Sequence, residues 1–221
     1  MVGRILSLCL WIAVPLFGSS SGDRIEAIGS FSDTTASKSV RDSLEPRGYR
    51  IISNKDEILC EIWLRNGVTK QNGKEILGAI YTDLPESICI GVLSFPQGGK
   101  DFRGQSIRPG AYTLRYELLP NDGNHLGAAA TRDFLLLTPV IIDSAITKVF
   151  KFDELIAMSR KTSKTHHPAV LSMTYPEIET EEDLPTVDEV ADEYVVFTFG
   201  LKIKSGGRLP VALVVKGEAE Q

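Results

Sequence analysis

From residue 48 onward the chain is a series of short apolar runs in which hydrophobic and polar positions alternate, each closed by glycine, proline, asparagine or serine. The expected strands are YRII (49–52), EILCEIWLR (57–65), ILGAIYTDL (76–84), SICIGVLSF (87–95), AYTLRYELL (111–119), RDFLLLTP (132–139), AVLSMTY (169–175), YVVFTFGLKIK (194–204) and LPVALVVKG (209–217). Two of them alternate cleanly enough to assign faces. Tyr112, Leu114, Tyr116 and Leu118 oppose Thr113, Arg115 and Glu117, while Val195, Phe197, Phe199, Leu201 and Ile203 oppose Thr198, Lys202 and Lys204. A wet face and a dry face belong to antiparallel sheets, because parallel sheets are covered on both sides. SGGR (205–208) supplies a glycine turn for a terminal hairpin.

Only KFDELIAMSRKTS (151–163) has a helical period. Phe152, Leu155, Ile156 and Ser159 share one face, and Asp153 and Glu154 suit the positive end of the helix dipole. Many short strands and one short helix predict an all-β fold, an antiparallel β-sandwich of Ig-like or transthyretin-like general architecture.

Three segments lie outside this pattern. Residues 1–22 combine Arg4, the apolar run ILSLCLWIAVPLF and the small residues GSSSG, which reads as a secretory signal peptide too short to span a bilayer. Residues 23–47 are rich in Ser, Thr, Asp and Gly and are expected to be a flexible linker, which leaves 48–221 as a single domain. The acidic EIETEEDLPTVDEVADE (177–193) contains no spaced calcium-loop pattern and reads as a solvated loop.

Composition narrows the function classes. The chain has 221 residues and a net charge of −5, which becomes −6 once Arg4 leaves with the signal. No Lys/Arg-rich run is present, so nucleic acid is not expected as a partner. After signal removal two cysteines remain, Cys60 and Cys89, both among apolar neighbours. In an exported protein they could form one disulfide or stay as two buried thiols.

The candidate chemistry sits in the connection between two strands. From Pro120 to Arg132 the loop runs 13 residues, well beyond the usual length of hairpin loops. It carries Asp122, His125 and Arg132, and the polar loop FPQGGKDFRGQ (95–105) adds Arg103. One reading is structural: NDG forms a turn, and Arg132 pairs with Asp133 or Asp101. A second is a metal site, with Asp122 and His125 joined across the fold by His166 and His167. A third is hydrolysis, although DGNH only resembles the name of the SGNH hydrolases, whose four residues come from separate blocks of an α/β fold, and no G-x-S-x-G elbow is present. The fourth is a binding loop in which His125, Arg132 and Arg103 meet a carboxylate, a sugar or a partner protein.

FPQGGKDFRGQSIRPGAYTLRYELLPNDGNHLGAAATRDFLLLTP (95–139) resembles the signature block of a family of exported bacterial β-rich proteins. The likeness continues through VFKFDELIAMSRKTSKTHHPAVLSM (149–173) and LPVALVVKG (209–217). It implies export to the periplasm or beyond and a β-rich domain, and it assigns no activity. PGAYTL also resembles a strand lead-in of transthyretin-like and regulatory β-sandwich domains, a likeness at the level of fold alone. The acidic stretch 177–193 is longer than the resemblance implies, so no site is placed there.

Taken together, the residues predict an exported, single-domain, non-enzymatic β-sandwich that binds an envelope ligand or protein through Arg103, Asp122, His125 and Arg132. Neither a cofactor, nor a nucleic acid, nor a stable membrane span after signal cleavage is expected. The alternative is an envelope hydrolase or metal-dependent enzyme using Asp122 and His125.

Overall fold

The alternating runs pair edge to edge into one antiparallel sheet. The computed structural model describes residues 22–120, 131–165, 167–190 and 194–217. In chain order the elements are β1 (Arg24–Ile28), α1 (Lys38–Asp42), β2 (Gly48–Ile52), β3 (Ile58–Leu64), β4 (Cys89–Phe95), β5 (Gly99–Lys100) and β6 (Ser106–Ile107). They continue with β7 (Gly110–Leu118), β8 (Asp133–Pro139), α2 (Phe152–Ser159), β9 (Val170–Thr174), β10 (Thr186–Val190), β11 (Tyr194–Lys202) and β12 (Arg208–Lys216). Ten strands follow the order β1-β2-β3-β4-β7-β8-β9-β12-β11-β10, while β5 and β6 form a separate ribbon.

The all-β antiparallel expectation with a short helix holds. The pairing is unbroken from β1 to β10, so the faces that meet across the core belong to one continuous, nearly barrel-shaped sheet. Tyr49 of β2 packs on Phe197 of β11 with ring centroids 5.8 Å apart, and Val68 bridges to Ile203 just after β11. Alternate residues of almost every strand enter this single core, among them Ile51, Ile62, Leu93, Leu114, Leu135, Leu171, Phe197 and Leu213. Burying these side chains is the main favourable term in folding, about 1.5–3 kcal/mol each. The SGGR hairpin forms as expected: Ile203 N–H donates to Gly207 O at 3.1 Å, and Gly206 and Gly207 take φ of +110° and +75°.

Several expectations are corrected. Residues 76–84 are not a strand. Their backbone turns at Gly78 (φ +78°), and the Ile80 and Tyr81 N–H groups donate to the Asp133 carboxylate at 2.7 and 2.9 Å instead of to a neighbouring strand. Tyr81 and Leu84 close the core at that end. The Tyr81 hydroxyl donates to Thr174 O at 2.7 Å and accepts from Ala212 N–H at 2.9 Å, linking β9 to β12.

The segment 23–47 is not a linker. β1 pairs with β2 from Arg24↔Ile52 to Ile28↔Gly48. Phe31, Ala36, Val40 and Leu44 then cover Trp63, Cys89 and Val92 on the outer face of β3 and β4. Gly48 allows this, since a Cβ there would meet the Trp63 indole at 2.4 Å.

The cysteines are free and buried on opposite sides of the sheet, Cys60 in the central core and Cys89 in the outer cluster under α1. The β3–β4 register, with Glu61↔Ser94 and Leu64↔Gly91, also sets them at opposite ends of the strand pair. Burial raises both thiols, Cys89 to about 11.

The polar face of β7 is not wet. Thr113 and Arg115 are fully buried beneath residues 140–150, and Glu117 is 2% exposed. Arg115 meets Asp143 in a two-pronged ion pair, Nε to Oδ2 and Nη2 to Oδ1, both at 2.7 Å. Its other donors reach the carbonyls of Ser87, Lys148 and Ala145, so all five N–H groups are used.

Glu117 has a different outcome. Burial and the neighbouring Glu86 push its carboxyl up to about 8 from an ordinary 4.5. The folded protein therefore retains a proton that the unfolded chain releases, and stability falls as pH rises from about 4.5 towards 8. Glu117→Gln is expected to flatten that slope, so its stability gain over wild type in urea unfolding grows from pH 5 to pH 8. A wild-type-minus-variant difference independent of pH would contradict this.

Candidate functional site

Most of the sheet's outer face is covered by chain that is not strand. Residues 31–44 cover β3 and β4, and residues 140–150 cover β7. α2 lays Leu155, Phe152 and Ile156 against Phe134, Leu136 and Val170 of β8 and β9. Phe102, from the β5–β6 turn, reaches Val196, Ala212 and Val214 on β11 and β12. Beyond Phe102 the described residues leave a cleft of about 730 Å³ over β10, β11 and β12. That is within the range of small-molecule sites.

The floor of this cleft is apolar and aromatic: Phe102, Tyr194, Val196 and Val214 line it. The Phe102 and Tyr194 rings stack with centroids 5.8 Å apart. The wall comes from the acidic stretch, which is no plain loop. It makes a short 3-10 turn at Glu181–Asp183, passes Leu184–Pro185 and then forms β10, which pairs with β11 from Thr186↔Thr198 to Val190↔Tyr194. Val187 packs inward on the core, and its neighbour Asp188 lines the cleft. The result is a rim of five carboxylates, Glu177, Glu179, Asp183, Asp188 and Glu189, with no Lys or Arg among the described lining residues. The Thr186 hydroxyl, also in the lining, has no hydrogen-bond partner among the described residues. Such a group in a cleft is a natural contact for a ligand.

The residues singled out from the sequence have other roles. Arg132 pairs with neither Asp133 nor Asp101. Its Nε and Nη2 donate to Leu119 O at 3.0 and 2.6 Å and its Nη1 to Leu77 O at 3.4 Å, which pins the base of the long loop to residues 76–84. Arg103 donates to Pro168 O at 3.0 Å. The two arginines share no partner. Arg103 sits at the level of Leu137 and Ala169, whereas Arg132 precedes β8, a backbone separation of about 16 Å along the strand. Asp122, His125 and His166 lie outside the described residues. Among the described residues no group of three or more His, Cys, Asp or Glu could hold a metal ion, and no helix is long and apolar enough to cross a membrane.

The loop 95–105 does reach the cleft, but through Phe102. The turn around it is tied down by Asp101, which accepts from Arg103 N–H at 3.0 Å and from Gln105 N–H and Nε2 at 2.8 and 2.6 Å. Burial raises the Asp101 carboxyl, and those hydrogen bonds offset part of that rise. Phe102 could have been noticed as the one large apolar residue among the polar residues 96–106. The acidic stretch carried a subtler signal, the alternation TVDEV. No family model matches the chain, and no curated protein or solved structure does either.

Proposed function

We propose that the protein is an exported, non-enzymatic binding module that takes an organic cation with an apolar body in the cleft over β10, β11 and β12. The carrying observation is the coincidence of a stacked aromatic and aliphatic floor with a rim whose described charges are all negative. An ammonium group over an aromatic face gains about 0.5–2 kcal/mol, depending on how far it is desolvated. The rim carboxylates are largely solvated, so each adds less than about 1 kcal/mol and acts mainly to select and steer a cation. The apolar body supplies the rest by covering Tyr175 and Val190, exposed apolar residues of the same lining. Export is supported by the pattern of residues 1–22.

The reading is tested by titrating the protein with benzyltrimethylammonium and, separately, with the uncharged benzyl alcohol. The cation is expected to bind saturably at one site, with a dissociation constant on the order of 1 mM or below. Asp188→Asn combined with Glu189→Gln should weaken it severalfold, as should added salt. Equal response to the neutral compound, or no effect of removing the rim charges, would contradict it.

A further inference from the structure

A second, smaller cleft has the opposite charge. It measures about 230 Å³ and is lined by Arg65, Arg115, Lys148 and Lys204, with Ser87 and the exposed Glu86 among its other walls. Arg65 follows β3, Lys148 belongs to the segment that covers β7, and Lys204 stands on the β11–β12 hairpin. The last is fixed there by backbone hydrogen bonds between Val68 and residues 202 and 204, both at 2.9 Å.

Arg65 and Arg115 differ in how their charges are met. Arg115 has Asp143 and uses every donor it owns. Arg65 is only 8% exposed, yet among the described residues its guanidinium makes a single long hydrogen bond, Nη1 to Cys89 O at 3.3 Å. No carboxylate pairs with it among the described residues. A cation taken out of water without a counter-charge is costly, and the strain shows in the guanidinium's own equilibrium: burial and then the nearby Arg115 act to lower its pKa. An arginine buried in this way, with donors left over and two lysines at the mouth of the same cleft, is a half-built ion pair. The missing half is an anion small enough for the space.

We propose that this second cleft binds a small oxyanion, a phosphate or carboxylate group, through Arg65 with Lys204 and Lys148 at its mouth. The guanidinium fork suits either group, because two parallel N–H donors match two oxygens. Arg115 contributes its field but no free donor, which leaves Arg65 as the directional contact. Lys148 carries its ammonium 4.4 Å from the Phe150 ring centroid, so it is held near the opening without an acidic partner of its own among the described residues.

The test is a titration of the full chain with sodium phosphate and, in parallel, sodium acetate, with ionic strength held constant by sodium chloride and binding followed by calorimetry. At least one anion is expected to saturate a single site, and the stronger of the two identifies the source chemistry. Lys204→Glu, an exposed substitution that leaves the fold intact, should weaken binding about tenfold. Arg65→Met should abolish it, and Asp188→Asn with Glu189→Gln should leave it unchanged. Should Arg65→Met not fold, the Lys204→Glu result carries the decision. A response from neither anion, or wild-type affinity in Lys204→Glu, would overturn the proposal without touching the cation cleft.

Discussion

Asp143→Ala is expected to cost about 3–5 kcal/mol of unfolding free energy, among the largest losses available from any single polar residue in the protein. The variant leaves the Arg115 guanidinium, which is fully buried, without its counter-charge, and the Thr113 hydroxyl, which donates to Asp143 Oδ2 at 2.6 Å, with only the longer bond to Thr138 O at 3.3 Å. Arg115→Met should cost a comparable amount by stranding the carboxylate and freeing three carbonyls. The double variant Arg115→Met with Asp143→Leu should be less unstable than the two losses summed, because neither charge is then left alone. Urea unfolding of all four proteins reads the cycle. Additive losses, each below about 1 kcal/mol, would mean that the pair behaves like a surface salt bridge.

Asp133→Ala is expected to cost about 3 kcal/mol or more, since one fully buried carboxylate satisfies two backbone donors and a phenol. Its oxygens accept from Ile80 N–H, Tyr81 N–H and the Tyr116 hydroxyl, the last at 2.7 Å. Burial, followed by this neighbouring carboxylate, holds the Tyr116 hydroxyl firmly protonated. The loss should have a local signature. The Ile80 and Tyr81 N–H groups have Asp133 as their acceptor, so these two amides should lose hydrogen-exchange protection well before those of β7 and β8 even while Tyr81 and Leu84 still pack in the core. Uniform loss of protection across the sheet would show that the segment is held by its apolar contacts instead.

The central core was legible in the chain because strands bury every second residue. Tyr112, Leu114 and Tyr116, like Phe197, Phe199 and Leu201, announce an inner face without reference to anything distant. The outer layer was not legible, since it is assembled from single residues far apart in sequence. Phe31 and Val40 over β3 and β4, and Phe102 over β11 and β12, come from separate connections and follow no common period, whereas Leu155 showed only as one face of a helix with nothing to say which strands it covers. For the same reason Arg115 looked solvated: a polar residue on an alternating strand is ambiguous until its partner, here Asp143 in a later connection, is brought over it. The acidic stretch failed differently. Its charge suggested a free loop, but Val187 packs on the core and β11 supplies hydrogen bonds, which together hold β10 in place and turn its acids towards the cleft. At the long loop, Arg132 has a structural explanation in Leu119 and Leu77, while Asp122 and His125 lie outside the described residues.

The claim that the cleft over β10, β11 and β12 is the ligand site is tested most directly by backbone amide shift mapping during titration with benzyltrimethylammonium. The expected result is a set of perturbations centred on Phe102, Asp188, Tyr194, Val196 and Val214, saturating together at one affinity. Perturbations centred instead on residues 119–132, with the cleft amides unmoved, would contradict it and return the function to the loop that carries Asp122 and His125.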